Sequence, residues 1–357
     1  MKRSISYIVI LLIIALGAIY VLKPKSRLGQ SIHKRVSAVT SVFHNTKSTV
    51  SEKVASIGKP DIKLHAINFE YPPEYSEVPL VHDILREKYN IVYDENDYDI
   101  LITGFLSNTP IPTDPEIIKI HYTAEAHIGD PKQHLSTHDL VLAFDFLDHP
   151  NYTRVPFSYA RNQDKMRHDY DRGIKCDPAS KKEFACFLVS NSGEWLDKFD
   201  GGRARNRLFH QLSLYKRVAS GGKHLNNMPG GVPVERGKTQ EWLSQCKFII
   251  AYENQINYPG YVTEKPFQAW FAGGIPIYHT HISGMQDMNP KAVIYGGDFA
   301  TEEDLIEYIK KVDNDDELYC KIWNEHILID PSKDYEVFKD VIRKKVNDIL
   351  DKRLRKR

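Results

Sequence analysis

Glu264 and Lys265 stand together at the predicted start of a helix that follows a buried strand. In parallel α/β folds, such a helix start presents free N–H groups and the positive end of the helix dipole, and both favour anions. Lys265 adds a full positive charge, which suits a diphosphate. Glu264 opposes a phosphate but suits a ribose, whose paired hydroxyls can donate to one carboxylate. The pair therefore indicates a sugar-nucleotide site.

Glu125 follows the predicted strand 117–122, again at the ligand-facing end of a sheet. A carboxylate in this position could accept a proton from a substrate, and the alternative is a solvated loop carboxylate. His121 and His127 lie nearby and could orient a second substrate or act as the base. Lone histidines, however, are more often structural.

Arg205 lies in a basic predicted helix, 203–216. A guanidinium group can fork onto a diphosphate, which is the chemistry that a sugar-nucleotide site needs. Two alternatives remain open here. The helix could present a solvated basic face, or Arg203 or Arg207 could make the contact instead.

The stretch 247–278 has the pattern of one strand, loop, helix and strand. Thr263 is predicted to cap the helix, with Glu264 and Lys265 in its first turn. Gly273–Gly274 supplies the positive-φ stop. The buried stripe of this helix comprises Phe267, Trp270 and Phe271, at spacing i, i+3, i+4.

Strand and helix patterns alternate along the rest of the chain, which indicates parallel sheets and the α/β fold class. Two Rossmann-like domains are predicted, followed by a basic helix that packs on a domain or, alternatively, contacts anionic lipid. The predicted bounds are 60–160 for the first domain, 161–180 for the junction, 181–334 for the second domain and 335–357 for the helix. The other predicted strands are 63–69, 100–105, 139–144, 184–189 and 292–295, and the other predicted helices are 81–88, 301–312 and 317–326.

An uninterrupted apolar run near the amino terminus predicts a membrane anchor over residues 5–22. A cleaved signal peptide is the alternative. Residues 23–59 are predicted to form a stem. Basic residues after the span place the body in the cytoplasm by the positive-inside rule, as in a bacterial inner-membrane protein, whereas a Golgi type II enzyme would need the reverse orientation.

The net charge of +1 and the pI of about 7.7 give no attraction to nucleic acid. Four cysteines are too few to reveal an oxidising compartment. Cys186 and Cys246 each precede or begin a predicted strand and could be neighbours in one sheet. Two Asp-x-Asp sequences, at 97–99 and 169–171, lie away from the predicted ligand-facing ends, so no required metal is predicted.

Three segments of the central stretch resemble the donor-binding signature of the α1,3/4-fucosyltransferases, and the neighbouring glycine loop is closer to bacterial-type members. The segments are Tyr252-Glu253-Asn254, Tyr261-Val262-Thr263-Glu264-Lys265 and Ile275-Pro276-Ile277. This chain has His279-Thr280 where many relatives have Trp-Gly, and Ala124 where the family has glycine. Animal relatives have a disulfide at what looks like the Cys186 and Cys246 positions, and two buried thiols are the alternative.

The resemblance implies a GT-B fold, in which two Rossmann-like domains face each other across a cleft. It implies GDP-fucose as donor and a glycan acceptor, such as N-acetylglucosamine or glucose in an oligosaccharide, with inversion and no required cofactor. By alignment, Glu125 is the general base. The implied donor-binding residues are Arg205, Asn254, Tyr261, Glu264 and Lys265. The alternatives are a GT-B transferase for another nucleotide sugar and an inactive anchored glycan-binding protein.

Overall fold

The computed structural model describes residues 58–69, 79–106, 109–123, 125, 130–156, 175–193, 200–231, 233–235, 237–331 and 334–354. Asp61–Arg357 forms one compact unit. Among the helices of these ranges, none combines the length and the apolar content that crossing a bilayer requires. The predicted anchor 5–22 and nearly all of the predicted stem 23–59 lie outside the described residues.

The first half of the unit contains a parallel sheet with the strand order β2-β1-β3-β4-β5-β6. Its central strands β3, β4 and β5 are buried along their whole length, as expected of a parallel sheet that is covered on both faces. The predicted strands of this half are confirmed, whereas β2 and β6 were not predicted. The elements are β1 (Asp61–Ile67), α1 (Pro79–Lys88), β2 (Asn90–Tyr93), β3 (Ile100–Thr103), β4 (Ile118–Tyr122), β5 (Leu140–Ala143) and β6 (Tyr152–Arg154).

The second half contains a parallel sheet with the order β11-β10-β9-β7-β8. Buried apolar side chains cover both of its faces. The fold is therefore α/β with two parallel-sheet domains, as predicted. The elements are β7 (Glu183–Phe187), α2 (Asp200–Tyr215), β8 (Val218–Ser220), α3 (Thr239–Leu243), β9 (Cys246–Ile250), α4 (Lys265–Phe271), β10 (Ile275–Tyr278), β11 (Ile294–Tyr295), α5 (Glu302–Asp313) and α6 (Asp316–Trp323).

The last helix, α7 (Asp334–Leu354), returns to the first sheet. Its residues Ile342, Val346 and Leu350 are buried in the same core as α1 and the strands β1, β3 and β4. Arg343 pairs with Glu87 of α1 at 2.8 Å. Phe338, near the start of α7, packs against both this core and one face of the second domain. The prediction that this helix packs on a domain is confirmed.

All four cysteines are paired. Cys186 in β7 is bonded to Cys246 in β9, and Cys176 is bonded to Cys320 in α6. The first pair is the one that the family resemblance implied. The second pair was not predicted, because its members are 144 residues apart and only the fold brings them together.

His82 of α1 is only 3% exposed, and burial, assisted by the nearby charge of Arg86, lowers its pKa to about 4. Because the folded state resists protonation, His82 stabilises the fold above its unfolded pKa of about 6.5. That stabilisation is lost as the pH falls towards 4.

We therefore expect His82→Gln to reduce the difference in unfolding free energy between pH 7 and pH 5 by about 2 kcal/mol. Urea titrations at both pH values measure this difference. His210→Gln, on an exposed position of α2, is the matched control. An equal pH dependence in His82→Gln and wild type would contradict the assignment.

Candidate active site

A cavity of about 350 Å³ opens at the carboxyl ends of β7 and β9. After β7 the chain continues to β8 on one side, whereas β9, β10 and β11 follow on the other side. The gap between β7 and β9 is thus the point where the strand order reverses, which is where open α/β sheets bind ligands. All the lining residues come from the second domain except Glu125, which follows β4 of the first domain. The cavity therefore lies between the two domains.

Glu253 is fully buried beside this cavity and organises one of its walls. Its carboxylate accepts hydrogen bonds from the backbone N–H of Thr263 at 2.7 Å, from the Thr263 hydroxyl at 2.7 Å and from the Tyr278 hydroxyl at 3.0 Å. The ammonium group of Lys265 completes the set at 3.0 Å. A buried carboxylate needs such partners because an isolated one would be too costly to desolvate.

Lys265 is held in this network and still contributes to the cavity wall. Its side chain is 27% exposed, and its ammonium group also donates to the Thr263 hydroxyl at 2.9 Å. Burial works against the charged form, but the carboxylates of Glu253 and Glu264 outweigh it and raise the pKa of Lys265. The amine is therefore a fixed cation, not a mobile one.

The prediction that Thr263 caps α4 is wrong. Glu264 is the N-cap residue, and Lys265 begins the helix. The Thr263 hydroxyl donates to Glu253, and the hydrogen bond that it accepts from a backbone N–H of the helix, that of Lys265, is long at 3.4 Å. Threonine has a local preference for the capping position, but here the Thr263 side chain is oriented by its hydrogen bond to the buried Glu253 carboxylate instead. Glu264 itself lines the cavity, as predicted for a ligand contact.

Arg205 of α2 also lines the cavity and is only 4% exposed. Its guanidinium donates to the Asn254 side-chain oxygen at 2.7 Å and to the Asn191 carbonyl at 2.9 Å. Both acceptors are neutral, and the buried Nε has no partner among the described residues. Burial lowers the pKa of Arg205 to about 10, which still leaves it charged at neutral pH. Arg205 and Asn254, both predicted site residues, are thus in direct contact.

Gly193 makes room for this arginine. Its φ of +72° lies in the left-handed region, and an added Cβ would come within 3.0 Å of the Arg205 Nη2. Glycine is the residue that meets both demands without strain.

Glu125 and Tyr261 connect the two domains across the cavity. The hydroxyl of Tyr261, a residue that is only 1% exposed, donates to the Glu125 carboxylate at 3.3 Å. Burial, followed by the charge of Glu125, raises the pKa of Tyr261 well above its usual range, so the phenol keeps its proton. The carboxylate of Glu125 therefore faces residues of the donor-side wall. His127 lies outside the described residues.

Residues 178–346 match the family model described as glycosyltransferase family 10 (fucosyltransferase), C-terminal part. The matched segment is slightly less than half of the chain, which is similar to this family over those residues. It is 28% identical to the alpha-(1,3)-fucosyltransferase FucT of Helicobacter pylori over 316 residues, which are 79% of this chain and 63% of that protein. It is 26% identical to human 4-galactosyl-N-acetylglucosaminide 3-alpha-L-fucosyltransferase 9 over 153 residues, or 41% of this chain and 37% of that enzyme. The chain thus spans less than two thirds of the length of these curated relatives.

The fold is also that of solved fucosyltransferases. A crystal structure of an α1,3-fucosyltransferase with GDP-fucose superposes with a TM-score of 0.60 and 24% sequence identity, covering 81% of this chain and 92% of that chain. A second crystal structure, of an α1,3-fucosyltransferase with GDP, superposes with a TM-score of 0.61 at 23% identity and with the same coverage. Two parallel-sheet domains in the GT-B arrangement are therefore shown.

All six predicted site residues lie around one cavity. Arg205, Asn254, Glu264 and Lys265 of the second domain line it, together with Glu125 of the first domain. Tyr261 of the second domain does not line the cavity but contacts Glu125. The central role of Glu253 was not predicted, although it stands in the signature. Its signal was available, since an acidic residue directly after a buried apolar strand needs buried partners.

A second set of contacts joins the two domains through residues that do not line the cavity. Arg154, at the end of β6, forms a bidentate ion pair with Asp287, with both N–O distances 2.7 Å. The guanidinium also donates to the carbonyl of Gly260 at 2.9 Å and stacks on Phe146 at 4.4 Å. The side chains of Arg154 and Asp287 are 19% and 9% exposed. We call this set the domain junction.

We expect Arg154→Ala to lower the free energy of unfolding by about 2–4 kcal/mol, because it leaves a buried carboxylate without its cation. Arg217→Ala breaks an exposed bidentate pair with Glu183 and is the matched control, with an expected loss below about 1 kcal/mol. Urea unfolding of both variants measures the difference. Equal losses of unfolding free energy in the two variants would show that the domain junction stabilises the fold no more than the Arg217–Glu183 pair does.

Proposed function

We propose that this protein transfers L-fucose from GDP-fucose to a hydroxyl of a glycan, with inversion at the transferred carbon. The observation that carries the proposal is the cavity itself. Two fixed cations, Arg205 and Lys265, lie at the carboxyl ends of β7 and β9, and one carboxylate from the other domain, Glu125, joins the same cavity. The match of residues 178–346 to the fucosyltransferase family model supports the choice of donor.

The donor diphosphate is assigned to Arg205, Asn254 and Lys265. The free Nε of Arg205 gives a buried N–H group for a phosphate oxygen, and the guanidinium has only neutral partners in the described residues. Charge-assisted hydrogen bonds of this kind are the strong ones. They would also stabilise the negative charge that develops on the departing diphosphate. Glu264, at the cavity wall, is assigned to the paired ribose hydroxyls.

Glu125 is assigned the role of general base, which removes the proton from the acceptor hydroxyl as that oxygen attacks the fucose carbon from the side opposite the diphosphate. Tyr261 holds the carboxylate towards the donor wall through its hydrogen bond. The acceptor that we propose is N-acetylglucosamine or glucose within an oligosaccharide, with an α1,3 linkage. The named activity of the Helicobacter pylori relative supports that linkage.

The transfer step needs no metal in this proposal. The Asp97 carboxylate is paired with the ammonium of Lys63, and the Asp99 carboxylate accepts from the Lys63 N–H at 3.0 Å, before β3 and at the opposite end from the cavity. The second Asp-x-Asp sequence, 169–171, lies outside the described residues. Arg205 and Lys265 supply the positive charge that a diphosphate-bound metal would otherwise provide.

We further propose that residues 5–22 anchor the protein in a membrane, with GDP-fucose and the glycan bound by the body. Two features of the chain favour opposite sides of the membrane for the body. The basic residues after position 22 favour a cytoplasmic body. The pairing of all four cysteines favours an oxidising compartment.

The function is tested by incubating the full chain with a panel of nucleotide sugars and oligosaccharides. Release of GDP only when GDP-fucose and an acceptor are both present is the expected result. Turnover with another nucleotide sugar would replace the donor, and glycan binding without turnover would indicate a binding protein. The same assay in EDTA should retain full activity, whereas a collapse would show that the transfer depends on a bound metal ion.

The roles of the two walls are separated by a pair of variants. We expect Glu125→Gln to lower turnover by about 10²- to 10⁴-fold and to leave GDP-fucose affinity nearly unchanged, because only proton removal is lost. Arg205→Ala should weaken donor binding by about 10- to 100-fold, and Arg205→Lys should restore only part of it because the fork is missing. Calorimetry and initial rates measure both effects.

Glu235→Gln, at an exposed acidic position that does not line the cavity, is the control for these variants. Unchanged turnover in Glu125→Gln would remove that residue from the role of base. Unchanged donor affinity in Arg205→Ala would move the diphosphate away from α2.

A further inference from the structure

Three histidines converge in the first domain, outside the cavity. His121 lies in β4, His134 ends the 3₁₀ turn Pro131–His134, and His138 follows four residues later. One ring nitrogen from each residue lies within 4.8 Å of those of the other two. His121 and His138 are buried, at 2% and 3% exposure, and His134 is half-buried. We call these residues the histidine cluster.

The hydrogen bonds of the cluster indicate where its lone pairs are. The His138 Nδ1 lies 3.2 Å from the His134 carbonyl oxygen and 2.9 Å from the Thr137 hydroxyl, which itself donates to that carbonyl at 3.3 Å. We assign the proton to the His138 Nδ1, because the carbonyl can only accept and the Thr137 proton is already donated to it. The Thr103 hydroxyl lies 3.0 Å from the His138 Nε2 and 2.8 Å from the His121 Nδ1. It has one proton, which it donates to His138. It therefore accepts from the His121 Nδ1–H, and the Nε2 of His121 keeps its lone pair.

His134 is the adaptable member of the cluster. Its ring stacks on that of His121 with 3.6 Å between centroids, and neither of its ring nitrogens has a hydrogen-bond partner in the described part of the chain. Three imidazoles with no carboxylate among them form a ligand set for borderline transition metals, not for Mg²⁺ or Ca²⁺.

We propose that His121, His134 and His138 bind a divalent transition-metal ion, with Zn²⁺ as the preferred one. Zn–N bonds of about 2.0–2.1 Å place tetrahedral ligand nitrogens about 3.4 Å apart, so the cluster must close from its present spacing. The half-buried ring of His134 can leave the stack to do so. On binding, the Thr103 hydroxyl gives up its hydrogen bond to the His138 Nε2, whose lone pair then goes to the metal. The Thr103 oxygen or a water molecule takes the fourth position. The His138 Nδ1–H bond to a carbonyl is the support that metal-binding histidines usually have.

The position of the site gives the ion a specific effect. His121 and His134 flank the stretch of chain that contains Glu125, the candidate base. A metal bound to both would close that stretch into a loop and reduce the conformations it can adopt when unfolded. The ion is thus structural and distinct from any metal on the donor diphosphate. Without it, the Thr103 hydrogen bonds still hold His121 and His138 together.

The test uses the full chain, purified without a polyhistidine tag and treated with EDTA. Titration with Co²⁺ should give the visible absorption of a tetrahedral complex with one equivalent bound. Zn²⁺ at about a hundred times its dissociation constant should raise the melting temperature by roughly 4–7 °C. The variant His134→Ala, which removes only the half-buried ligand, should lose both signals, whereas the exposed His210→Ala should keep them.

His138→Gln is the second variant, and circular dichroism of each variant checks that it is folded. Equal Zn²⁺ shifts in wild type and folded His134→Ala would overturn the proposal, and so would the absence of Co²⁺ absorption in the wild type. Neither readout depends on fucose transfer. A failure of the proposed function therefore leaves this result unaffected, and the reverse also holds.

Discussion

The buried carboxylate of Glu253 is the constraint on which the donor side of the cavity depends. It is fully excluded from solvent, and the chain satisfies it with one backbone N–H, two hydroxyl groups and one ammonium group. These partners come from the loop before α4, from the first residue of α4 and from β10. A single buried charge thus fixes the position of the loop, the start of the helix and the lysine. The desolvation cost of Glu253 is offset only when all of them are in place.

Much of this fold could be predicted from the sequence, because its parallel strands are short, apolar and separated by helical patterns. The strands that were missed, β2, β6 and β8, are three or four residues long and are at or near the sheet edges. Their patterns are too short to give a period. The bond between Cys176 and Cys320 was missed for a different reason, since no local signal links residues so far apart.

The site could be predicted as a list of residues but not as a network. The signature contained Asn254, Glu264 and Lys265, and the family resemblance implied Arg205 of the basic helix. The structure brings these four residues to one cavity. The cap at Thr263 was predicted from local propensity, and a long-range contact with Glu253 overrode it. The histidine cluster also depends on the fold, because Thr103 and His121 meet only when β3 and β4 are paired. Spacing along the chain does not reveal such contacts.

The charges of the cavity distinguish between the kinds of ligand that it suits. A site for a neutral glycan alone has no use for a buried guanidinium whose hydrogen-bond partners are all neutral, since the charge of Glu253 offsets only part of the cost of burying it. Arg205 is in that state, and the lowering of its pKa by burial reflects the cost. Lys265 differs, because Glu253 already compensates much of its charge. An anionic ligand would therefore gain most from Arg205, and the wall formed by α2 is the one whose stability a bound diphosphate should increase.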